Sequence, residues 1–115
     1  MTPLTLNVRD VAQAALKAHS EKRLSAQGPT PHCRYRDSSG HPCAIGAAID
    51  DKTAKWLDSL TVSNIYTLIK RGDVLTDNSQ GLQELQRRHD SWSRQPHNDD
   101  LERKFLDCAR RLAGQ

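Results

Sequence analysis

The sequence predicts a mainly α fold, a small single-domain bundle of about five helices with a short irregular β-hairpin or loop. Three observations lead there. Apolar residues recur at three- and four-residue spacing in several separate segments. Residues suited to capping stand just before those segments, and glycine or proline stands just after them. Only one stretch, residues 29–42, combines three prolines with a glycine and resists a helix throughout.

The first helix is expected over residues 7–27. Leu6, Val8, Val11, Ala12, Ala15, Leu16 and Ala18 form its apolar stripe, and Asn7 with Asp10 reads as a capping box. Gly28-Pro29 supplies the stop. The segment Cys33-Arg34-Tyr35-Arg36 alternates as a strand does, and Asp37-Ser38-Ser39-Gly40 has turn chemistry. Cys43–Ile49 is small and apolar, and suits either a returning strand or a short packed helix; the second is preferred. Asp50 and Asp51 cap a helix over residues 52–60 with Trp56 and Leu57 inward. Thr61 is the expected cap of a third helix bearing Val62, Ile65, Tyr66, Leu68 and Ile69, closed by Gly72. Residues 73–78 read as a polar link. A fourth helix from Ser79 to Trp92 shows Leu82, Leu85, His89 and Trp92 on one face. A fifth begins near Asp99, with Glu102 at the capping-box position and Leu101, Phe105, Cys108, Ala109 and Leu112 as its stripe.

Composition narrows the function classes. The 115 residues are 36% hydrophobic, enough for a thin core. No apolar run approaches the ~18 residues of a membrane span, and no basic-then-apolar leader opens the chain. A cytoplasmic protein with reduced thiols is therefore expected, without membrane partners. The net charge is +3, and the longest basic runs are pairs such as Lys70-Arg71 and Arg87-Arg88, mostly with acidic neighbours. Solvated helix faces explain that pattern better than a nucleic-acid footprint.

Cys33-x-Tyr35-Arg36 followed by Gly40-x-x-Cys43-Ala44-Ile45-Gly46 forms one block, and Leu82-x-x-Leu85-Gln86-x-x-His89-Asp90 downstream forms a second, in that order. In these the chain resembles a group of small proteins encoded by tailed phages and prophages, over roughly residues 10–95. The resemblance implies a phage accessory protein acting in the bacterial cytoplasm, with no catalytic activity to carry over. It marks Cys33, Cys43, Gly46, His89 and Asp90 as motif residues. Members often carry a proline and acidic residues after the Cys-Ala-Ile-Gly stretch; Ile49-Asp50-Asp51 stands there in this chain.

Several chemistries compete for these residues. A zinc site would draw on Cys33, Cys43, His41 and His89, but no C-x₂-C knuckle occurs. A Cys33–Cys43 disulfide is conceivable across a hairpin. A cysteine enzyme would use Cys43 at a helix start, where the dipole lowers a thiol pKa, with His89 as base. Asp90, one residue on, should point about 100° away on a helix and fail to orient that imidazole. A metal phosphohydrolase at His89-Asp90 lacks the further ligands it needs. A nucleic-acid regulator would use Arg34, Tyr35 and Arg36, an Arg-aromatic-Arg triplet able to stack a base and hold phosphates. A helix-turn-helix over residues 54–71 has too apolar a second helix. No phosphate-cradling loop is present, and no cofactor is expected. The favoured expectation is non-catalytic binding to a bacterial or phage protein, plausibly modulating or inhibiting a defence or regulatory protein. Its surface would comprise Arg34, Tyr35, Arg36, His41, Arg87, Arg88 and Trp92, with Arg and Tyr as anchors. Trp92 also suits a core plug, and the last helix either completes the core or forms a homodimer seam.

Overall fold

A computed structural model describes residues 4–25, 35–37, 39–60 and 64–114, and among them the fold is mainly α. Among the described residues, five α-helices, a one-turn 3-10 helix and two short strands follow one another. Cys33 and Arg34 lie outside the described residues, as do Thr61 and Val62.

Strand β1, Leu4–Leu6, pairs in parallel with β2, Val74–Thr76, in the register Leu4↔Val74 to Leu6↔Thr76. This corrects the expected polar link over residues 73–78. Three-residue strands are too short to show alternation, and a parallel partner far along the chain leaves no local turn signal. Leu6 and Val74 point into the core.

Helix α1 spans Val8–Ser20. Asn7 caps it as expected, its Oδ1 accepting from the Asp10 N–H at 3.1 Å. Asp77, just past β2, takes a second free donor: its carboxylate accepts from the Val8 N–H at 2.9 Å and the Asn7 amide at 3.1 Å. The helix ends well before residue 27. Lys22 turns left-handed (φ 58°), its N–H reaches the His19 carbonyl, and the Arg23 N–H reaches the Ala18 carbonyl at 2.8 Å. That is a Schellman closure with lysine where glycine is usual. Leu24 is buried beyond the turn, and Gly28-Pro29 is not what stops the helix. Lys22→Gly should therefore stabilise the fold by about 0.5–1 kcal/mol, read as a higher urea midpoint with an unchanged slope.

Helix α2, Asp51–Asp58, is capped by Asp50, whose Oδ1 accepts from the Thr53 N–H at 2.7 Å. Helix α3, Ile65–Arg71, is capped by Asn64 rather than Thr61, and Gly72 closes it at φ 83°. Its inward residues are Ile65 and Leu68, while Tyr66 stands 54% exposed instead of joining the apolar face. In so short a helix, a residue one step from the buried line is turned about 100° away from it.

Helices α4, Ser79–Arg94, and α5, Asp99–Leu112, pack against each other and against α1. The alanines of α1 at 12, 15 and 18 are fully buried and let the other two approach closely. Leu82, Leu85, His89 and Trp92 are all buried along α4, as their spacing predicts. Trp92 stacks on Phe105 of α5 with centroids 5.7 Å apart and rings 6° from parallel, while His89 meets both edge-on. Trp92 is thus a core plug and not an exposed anchor. The apolar stripe of α5 is likewise spent inside the monomer, where Phe105, Cys108 and Ala109 are buried. Glu102 completes no capping box; it bonds His19 Nε2 of α1 at 2.8 Å.

Candidate binding cleft

The motif residues Tyr35 to Ile49 fold into a tight knot against α2. Arg36 and Pro42 form one antiparallel bridge, the remnant of the expected hairpin. Asp37 shapes the bend between them: its Oδ1 accepts from the N–H groups of Ser39 and His41, both at 2.8 Å. Asp58, closing α2, accepts from the Tyr35 N–H at 2.9 Å and the Arg36 N–H at 3.1 Å. The chain then enters the 3-10 helix Gly46–Ala48, so the preferred reading of Cys43–Ile49 as a short packed helix holds for its second half.

Arg36 is the clamp of this knot. Its Nη1 donates to the carbonyls of Tyr35 at 3.0 Å and Gly46 at 2.7 Å, its Nη2 to Ile49 at 2.8 Å, and its Nε to Asp51 at 3.0 Å. A guanidinium has five N–H donors, so little is left for a phosphate or a partner. Tyr35 is also not the exposed aromatic the triplet reading needed, being only 5% exposed. Both residues are therefore corrected from surface anchors to scaffold. Their alternating sequence carries no signal of burial, because the burial comes from α2 and the 3-10 turn folding over them.

Cys43 is buried, and its Sγ accepts from the Gly46 N–H at 3.2 Å. Burial pushes the thiol up to about 12; the Gly46 N–H opposes this, and the nearby Asp90 carboxylate adds to it. The expectation of a dipole-lowered thiol is thus reversed, since the Gly46 and Ile45 backbone groups and the Gln86 side chain together do not offset full desolvation. Cys43 carries a free thiol. At pH 8 it should label with iodoacetamide at least about 100-fold more slowly than a free thiol, and at the ordinary rate in urea, as peptide mapping would show. Prompt labelling of Cys43 in the folded protein would contradict this burial.

His89 is 2% exposed, and its Nδ1 lies 3.3 Å from Asp90 Oδ1. The expected divergence of these neighbours is therefore wrong. The 100° step separates Cα–Cβ directions, but the imidazole and carboxylate are long enough to lean together. Asp90 Oδ1 also accepts from Gln86 Nε2 at 2.8 Å. His89 does not share an open site with Cys43: Cys43 and Asp90 line a cleft, whereas His89 sits behind it among the aromatic rings. His41 is exposed, with Nδ1 3.6 Å from the Asp37 carboxylate. Among the described residues no three His, Cys, Asp or Glu side chains gather as metal ligands.

The cleft encloses about 490 Å³. Its floor is Tyr35 and Cys43, one wall is Asn64, Ile65 and Tyr66 at the start of α3, and the other is α4. The α4 wall consists of Gln83, Gln86, Arg87, Asp90, Ser91 and Arg94. These recur at three- and four-residue steps, a polar stripe beside the buried one. Of the expected surface, only Arg87 stands exposed at the cleft, while Arg88 is half-buried with its Nε unpartnered. Sequence reasoning missed Arg94, Gln83, Gln86 and Tyr66 as a group. The α4 spacing was the available signal; nothing local showed that α3 stands opposite.

Among the described residues no helix is long and apolar enough to cross a membrane. No protein-family model, curated protein or solved structure matches the chain.

Proposed function

We propose that this chain is a non-catalytic binding protein, a phage or prophage accessory factor of the bacterial cytoplasm that occupies a host or phage macromolecule through the α3–α4 cleft. The observation that carries this reading is the α4 stripe. Arg87 and Arg94 line the cleft, both exposed, and neither has an ion-pair partner among the described residues. Exposed guanidinium groups with no internal ion pair are available to complementary charge on a partner. The buried thiol and the enclosed imidazole support binding over chemistry. The phage setting is supported by the resemblance of the two motif blocks, and from that setting a bacterial or phage protein is the expected partner.

The test is capture from nuclease-treated bacterial lysate on the immobilised chain, beside the Arg87→Ala/Arg94→Ala variant. A partner held by the original chain and lost by the variant is the expected result. Equal capture by both would remove the cleft from the reading. Turnover of a substrate that is lost in a folded Cys43→Ala variant would overturn the non-catalytic assignment.

A further inference from the structure

We draw no further inference here: the strongest candidate, the hollow of about 400 Å³ beside the end of α1 lined by His19, Leu24, Trp92 and Glu102, is a mainly apolar recess whose histidine and glutamate already bond each other at 2.8 Å, and nothing in the structure shows what covers it.

Discussion

Gly46→Ala is expected to cost about 3 kcal/mol, a fall in melting temperature on the order of 10 °C. A Cβ on Gly46 would stand 2.3 Å from the Tyr35 carbonyl oxygen and 3.0 Å from Arg36 Nη1. The nearest obstacle is backbone, so no rotamer change relieves it. Moving Tyr35 away would strain its N–H bond to Asp58 and the Cys43 N–H bond to its carbonyl. Moving Gly46 away would strain its carbonyl bond to Arg36 and its N–H bond to Cys43 Sγ. Gly40→Ala is the control. Gly40 has nothing within 4 Å of its missing Cβ but sits at φ +85°, so only backbone strain of about 1 kcal/mol is expected. Thermal and urea unfolding of both variants would check the order; equal losses would mean that the Tyr35 contact is not the constraint.

Arg36→Met should destabilise by about 2–3 kcal/mol. The methionine keeps the apolar stem but removes every donor. The Tyr35 and Gly46 carbonyls retain other N–H partners, from Cys43 and Ile49, so the heaviest loss falls on the Ile49 carbonyl. The Asp51 ion pair adds little, because that carboxylate is 96% exposed and screened. Arg36→Lys should recover only a small part, since one ammonium cannot span three carbonyls and a carboxylate at once. Chemical denaturation of the two variants is the measurement. A loss under about 1 kcal/mol for Arg36→Met would show that water replaces the guanidinium without penalty.

These two residues show where the sequence could be read and where it could not. The stripes of α4 and α5 were legible because amphipathic helices write their burial into spacing: Leu82, Leu85, His89, Trp92 and Phe105 are all inside. Asn7, Asp50 and Gly72 were legible because capping is a local act. The end of α1 was not, because a lysine in a left-handed turn looks like any other lysine on a helix. Arg36 was misread for a related reason. A guanidinium recognises backbone carbonyls and phosphates with the same fork of donors, and only the fold decides which is within reach. The cleft was half legible: its α4 stripe follows from periodicity, while the facing wall depends on how α3 returns across a distant part of the chain.

The grip of Asp77 on the first turn of α1 bears on how the polypeptide is made. As the chain leaves the ribosome, β1 and the start of α1 emerge well before the carboxylate and the strand that complete them. Until then the amino-terminal segment has neither its neighbour in the sheet nor its second anchor, and its final arrangement waits on loop closure across the intervening residues. Nascent chains arrested before residue 77 should thus hold this end open, exposing Leu6 and Val8, which the finished protein buries.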